Sequence, residues 1–97
     1  MMKRQGDLLI LKVKSIPADA VKSDNRILAE GEVTGHRHEL DSGEVYEKNG
    51  VLYFRVGEGQ TVRLDHAEHK TLNFDAGEYK VVRQREYRPD GWMRVRD

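Results

Sequence analysis

The chain contains no cysteine, which excludes disulfides, iron–sulfur clusters, thiolate zinc sites and a cysteine nucleophile. Long hydrophobic runs are missing too. After Met1-Met2-Lys3-Arg4-Gln5-Gly6-Asp7 the first apolar stretch is only Leu8 to Leu11. That is too short for the core of a secretory signal and far too short to cross a bilayer. An excess of one charge is also absent: 17 Lys and Arg balance 17 Asp and Glu, so no overall field argues for nucleic acid or membrane as partner. No stretch carries a helical period of useful length, and there is no internal repeat, linker or low-complexity segment. These absences predict a soluble, cytoplasmic protein without a membrane partner.

What is present fits one domain, residues 1–97, near the lower end of the common size range. A domain this small buries a modest core, so side chains that do not support packing are costly to keep. Apolar residues make up 37% and charged residues 35%, with a mean hydropathy of −0.79. The chain is polar, but its apolar residues fall in patterned runs, which separates it from a disordered segment.

Those runs have the period of strands. Asp7 to Lys14 begins apolar and ends in alternation, bounded by Gly6 and by Ile16-Pro17, which biases Ile16 towards extended backbone. Ala18 to Arg26 reads as a loop in which Asp19-Ala20-Val21-Lys22 makes one helical turn. Ile27 to Thr34 is a second strand, with Ala29, Gly31 and Val33 on one small-residue face. His36 to Leu40 is extended, and Asp41-Ser42-Gly43 turns it. Val45 to Lys48 and Val51 to Val56 flank Asn49-Gly50, the strongest two-residue hairpin signal because both positions tolerate positive φ. Gly57-Glu58-Gly59-Gln60 and Asp75-Ala76-Gly77-Glu78 read as further turns, separating Thr61 to Leu64, Lys70 to Phe74 and Tyr79 to Arg88. Pro89-Asp90-Gly91 ends the last strand and leaves a basic tail, residues 89–97, able to move. The expected fold is all-β: a single small barrel or two-sheet sandwich of seven to eight short, mostly antiparallel strands.

All four histidines fall between Gly35 and Lys70, in two pairs: His36-Arg37-His38 and His66-Ala67-Glu68-His69. Residues two apart on a strand share a face, so His36 and His38 would project side by side about 7 Å apart at Cα. His66 and His69 are three apart and converge only if Asp65 to His69 forms a turn, which the break in alternation between Leu64 and Leu72 suggests. Neighbouring carboxylates (Glu39, Asp41, Asp65, Glu68) could serve as ligands or as acceptors for ligand N–H groups. The leading expectation is therefore a site for a divalent transition metal (Zn, Fe, Mn or Ni) held by His36, His38, His66 and His69. Glu68, inside the second pair, is the candidate general acid/base.

Two resemblances accompany this pattern. Gly31, His36-x-His38 and Glu44 are similar to the first motif of the cupins, β-barrels that hold a metal with two histidines, a glutamate and a later histidine. His69 followed by Asn73 resembles the end of their second motif. The spacings from Gly31 to His36 and from His38 to Glu44 depart from the cupin pattern, and a Pro-x-Gly before the last histidine is missing. Arg4-Gln5-Gly6-Asp7, Gly35-His36-x-His38, His66-x-Glu68-His69, Gly77-x-Tyr79 and Gln84-Arg85-Glu86-Tyr87 look like a set of small bacterial and phage-type proteins, a resemblance that brings no activity with it.

The last strand supplies the alternatives. Tyr79, Val81, Arg83, Arg85 and Tyr87 alternate onto one face, and two arginines between two tyrosines could offer phosphate-binding forks with stacking surfaces. A metal-independent phosphodiesterase, or a nucleotide- or RNA-binding protein, would then use the histidines with Lys70, Arg83, Arg85 and Tyr87 as ligand-binding residues. The plainer reading makes these charges a solvated sheet face with ordinary cross-strand pairs. A third reading is a non-enzymatic interaction module or homo-oligomer that pairs through exposed strand edges or Trp92.

Overall fold

The computed structural model describes the backbone of residues 1–30, 35–88 and 91–94 and the side chains of residues 1–30 and 35–84. Its strands are β1 (Met2–Gln5), β2 (Leu8–Val13), β3 (Val21–Lys22), β4 (Ile27–Glu30), β5 (Arg37–Leu40), β6 (Glu44–Lys48), β7 (Val51–Asp65), β8 (Leu72–Arg83), β9 (Arg85–Arg88) and β10 (Gly91–Arg94). Eight of them form one sheet in the order β1-β2-β8-β7-β5-β4, with β6 also on β7 and β3 on β6; β9 and β10 pair as a separate hairpin. Every pairing is antiparallel. The fold is all-β, and the sheet curls into a half-barrel. No helix among the described residues is long and apolar enough to cross a membrane.

The curl has a local cause. β7 and β8 are each one long strand, so the Gly57–Gln60 and Asp75–Glu78 segments are not turns between separate strands. They face one another across the β7–β8 ladder, whose register jumps from Val56↔Gly77 to Thr61↔Asp75. Four residues of β7 thus oppose one of β8, a bulge that bends the strand sharply and strengthens its twist. Gly59 (φ +76°) and Gly77 (φ +152°) supply backbone that side-chain-bearing residues rarely adopt. The same glycines that signal a turn in sequence here fold a continuous ribbon.

The concave face carries the core. Phe54, Phe74 and Tyr79 pack as an aromatic trio with ring centroids 4.8–5.3 Å apart, joined by Leu8, Ile10, Val62 and Leu64, all 1% exposed or less. Truncating one such phenylalanine costs about 3–5 kcal/mol in comparable cores. The expected hairpin at Asn49-Gly50 is present, with φ +51° and +79°, and Lys48↔Val51 closes it. Val21–Lys22 pairs with β6 as a short strand, where the sequence suggested a helical turn, because the edge of β6 offers it hydrogen-bond partners. Ile27–Glu30 is the described part of the second expected strand; Gly31, Val33 and Thr34 lie outside the described residues.

The N-terminus differs most from expectation. Met2–Gln5 forms a strand of its own, paired Gln5↔Leu8 across the two-residue turn Gly6-Asp7. Gly6, at φ +58°, is the first central residue, the position that a type II′ hairpin reserves for glycine. Gln5 and Asp7 are thereby folded inward, 2% and 1% exposed.

Candidate functional site

Three segments meet where β1 turns into β2: the Gln5-Gly6-Asp7 turn, the start of β5, and the 66–71 connection from β7 to β8. β5 alternates exposed Arg37, buried His38, exposed Glu39 and buried Leu40, so the strand itself drives His38 inside. Glu39 pairs with Asp65, which sets His38 and His66 side by side at the adjoining ends of β5 and β7.

The 66–71 segment is shaped by ties from three directions. Thr71 Oγ1 donates to Asp65 Oδ1 at 3.1 Å across its base. The Glu68 backbone N–H donates to His66 Nδ1 at 3.0 Å. From below, Gln5 Nε2 donates both its hydrogens, to the carbonyls of Leu64 (2.8 Å) and Lys70 (2.9 Å). The chain bends at residues 67–69, which brings the second histidine pair beside the first. Ring centroids are 4.2 Å apart for His38–His66, 4.6 Å for His66–His69, 5.7 Å for His36–His66 and 6.0 Å for His38–His69.

Hydrogen bonding assigns the tautomers. Since the Gln5 amide spends both hydrogens on carbonyls, its Oε1 faces His38 Nδ1 at 2.8 Å as an acceptor. His38 Nδ1 therefore carries hydrogen, and Nε2 is the atom turned towards Asp7 Oδ1, 3.7 Å away. His66 is the opposite case. Its Nδ1 accepts from a backbone N–H, so in the neutral ring Nε2 bears the hydrogen. His36 Nδ1 meets Glu68 Oε1 at 3.1 Å, leaving its Nε2 with the lone pair when the ring is neutral.

Asp7 anchors the floor. Its Oδ2 accepts from Arg83 Nε at 2.6 Å, and Arg83 also donates through a terminal nitrogen to the Glu30 carbonyl at 3.0 Å. The Asp7 backbone carbonyl accepts from Gln84 N at 2.8 Å. Among the described residues, Asp7 Oδ1 and His69 Nε2 are buried with no hydrogen-bond partner. The rings are tilted or stacked against one another, and among the described residues no group of three or more His or acidic side chains is placed to hold a metal ion.

A pocket of about 490 Å³ opens beside the histidines, lined by His36, Arg37, Glu39, Asp65, His66 and Thr71. Just past the end of β5, Asp41 accepts from the Arg63 backbone N–H at 2.8 Å. That bond holds the Asp41 carboxyl below its ordinary range; burial opposes it, and the Ser42 hydroxyl and Arg63 charge reinforce it.

All four histidines and Glu68 thus stand together. Lys70 is exposed, and it is its backbone carbonyl that the fold uses. Arg83 is turned inward onto Asp7 rather than outward to a ligand. The side chains of Arg85, Tyr87 and Trp92, and the tail beyond residue 94, lie outside the described residues. Gln5 and Asp7 were not legible as site residues, although Gly-Asp between two apolar-bearing runs is itself a hairpin signal.

A family model described as a domain of unknown function (DUF8820) matches residues 4–84. The chain belongs to the DUF8820 family. The DUF8820 span takes in Gln5, Asp7, all four histidines and Arg83, and stops before the β9–β10 hairpin. No curated protein and no solved structure matches the chain.

Proposed function

We propose that this protein binds a divalent transition-metal ion among its histidines. The observation that carries the reading is the His38 ring, wholly buried, with its Nδ1–H held by Gln5 and its Nε2 directed at a carboxylate oxygen. Ligating histidines characteristically donate their second N–H to a fixed acceptor, which sets the ring and raises the basicity of the donor atom. His36, with Nδ1 on Glu68, has the same arrangement at the pocket side. His69 brings a third imidazole on a segment joined to the frame by bends rather than by ladder bonds, so its ring can turn from stacked to convergent at the modest cost of a side-chain rotation. His66, whose Nδ1 is taken by the Glu68 N–H, serves as a hydrogen-bond donor beside the ion rather than as an Nε2 ligand. Imidazole with carboxylate suits Zn, Fe or Ni.

If the ion acts on a substrate, it would polarise an oxygen or activate water in the adjoining pocket, with Glu68, the hydrogen-bond partner of His36, as the proton acceptor. The experiment is elemental analysis of untagged protein purified without chelator. The expected result is close to one equivalent of a single transition metal, restored to stripped protein by dialysis. Substoichiometric metal that does not rise when the growth medium is supplemented would refute the proposal.

A further inference from the structure

The sheet opens at one corner for a topological reason. At that end the β7–β8 ladder stops at Leu52↔Val81, because β7 turns through Asn49-Gly50 into its hairpin with β6. β8 continues to Val82 and Arg83, which pair with Leu9 and Leu8 of β2. A cleft of about 430 Å³ lies at this parting, and its lining includes Leu8, Leu28, Leu52, Lys80, Val81 and Arg83. Leu8, Leu28 and Val81 belong to the core cluster, and Leu52 packs against it. The cleft is therefore floored by the core itself, and its volume is in the range of small-molecule sites.

The charge at this cleft has one sign. Among the described lining residues the charged side chains are Lys80 and Arg83, with no carboxylate. Arg83 is already matched, since its Nε donates to Asp7 Oδ2 at 2.6 Å. Lys80 is not. Its cross-strand neighbours are Tyr53 on β7 and Leu11 on β2, so neither ladder brings the acid that would complete a charge pair. No hydrogen bond or ion pair engages its ammonium among the described residues. Lys80 is half-buried, as a lysine is when its stem lies on apolar surface and its ammonium stays in water. The cleft thus joins an apolar floor to one uncompensated positive charge.

We infer that this cleft binds a medium-chain carboxylate, with its alkyl chain on Leu8, Leu28, Leu52 and Val81 and its head group on the Lys80 ammonium. One free positive charge matches a monoanion, and a hydrogen-bonded carboxylate gives Lys80 the partner that the sheet does not. The chain supplies affinity by leaving water: each buried CH₂ is worth about fourfold in binding. The inference stands apart from the metal reading, because this cleft and the pocket beside the histidines share no described lining residue.

The test titrates the full chain with hexanoate, octanoate, decanoate and octan-1-ol, read by NMR of the leucine and valine methyl groups. The expected result is saturable movement of the Leu28, Leu52 and Val81 methyls, with affinity rising about 15-fold for each two carbons until the cleft is full. Lys80→Met keeps an apolar stem and is expected to weaken octanoate about tenfold, the low end for a hydrogen bond to a charged group. Octan-1-ol, which has no charge to lose, should stay within about twofold. Lys14→Met, at an exposed lysine, should leave both ligands unchanged. Should Lys80→Met not fold, wild type alone decides the head group, since octanoate is expected to bind more tightly than octan-1-ol. Absence of saturable shifts would overturn the inference, as would shifts confined to the exposed Met1, Met2 and Val21, which mark non-specific adsorption. Octan-1-ol binding wild type as tightly as octanoate, or octanoate binding Lys80→Met unweakened, would overturn it equally.

Discussion

Replacing Gln5 by leucine examines the device that holds the histidines together. Leucine has nearly the same size and is apolar, so packing at this 2%-exposed position is retained and only polar contacts are lost. Three groups lose a partner: the Leu64 carbonyl, the Lys70 carbonyl and His38 Nδ1–H. An orphaned buried polar group costs about 1–3 kcal/mol. Taking the low end of that range for each of the three groups gives a sum of roughly 3 kcal/mol. For a domain near 100 residues each kcal/mol lowers Tm by about 4–8 °C, which predicts a fall of roughly 12–24 °C. Gln5→Glu should be worse still, because it loses both donors and sets a negative charge against two carbonyl oxygens. The assay is urea unfolding of both variants, with hydrogen exchange at the Glu68 amide, whose bond to His66 should open early. A Gln5→Leu variant within about 0.5 kcal/mol of wild type at unchanged m would refute the tether.

Other outcomes follow from the same frame. Arg83→Met leaves the Asp7 carboxylate buried without its partner and should cost about 3–5 kcal/mol in urea, with Asp7→Asn added to it recovering part of the loss; a cost below ~1 kcal/mol would class the pair with surface ion pairs. Tyr79→Phe removes the hydroxyl that donates to the Asp75 carbonyl at 2.6 Å and should cost about 1 kcal/mol. Burial, then the Asp75 charge, raises the Tyr79 phenol above 10.0. Its stabilising contribution is therefore full below the unfolded value and lost as pH rises through the higher folded one, and Tyr79→Phe should show a shallower alkaline decline in unfolding measured from pH 8 to 11. Asp41 is the acid counterpart: its carboxyl is lowered chiefly by the Arg63 backbone N–H. That contribution is present above the unfolded value and lost as pH falls through the folded one, so Asp41→Asn should flatten the acid limb of the stability curve.

Strand alternation made most of the fold legible, and Asn49-Gly50 placed its clearest hairpin. Legibility ended where one local signal serves two geometries. Gly57-Glu58-Gly59-Gln60 carries the residues of a chain reversal, yet here β8 runs alongside throughout and the glycines form a bulge. At the site, alternation put His36 and His38 on one face of the extended chain, and the structure turns that face inward at His38. Alternation could not place His69, because the bend at 67–69 is held by Gln5, whose acceptor at Lys70 is 65 residues away. Asp7 and Gln5 read as a polar lead-in to the first apolar strand. They are buried because Gly6 reverses the chain beneath the histidines, and burial of polar side chains depends on partners that a linear pattern does not display.

The most direct measurement is a crystal structure of the Zn²⁺-loaded protein with anomalous data at the zinc edge. The account predicts one strong peak inside the histidine group, with imidazole nitrogens of at least two of His36, His38 and His69 at about 2.0–2.1 Å. Absence of a peak there, or zinc found only at surface side chains, would contradict it.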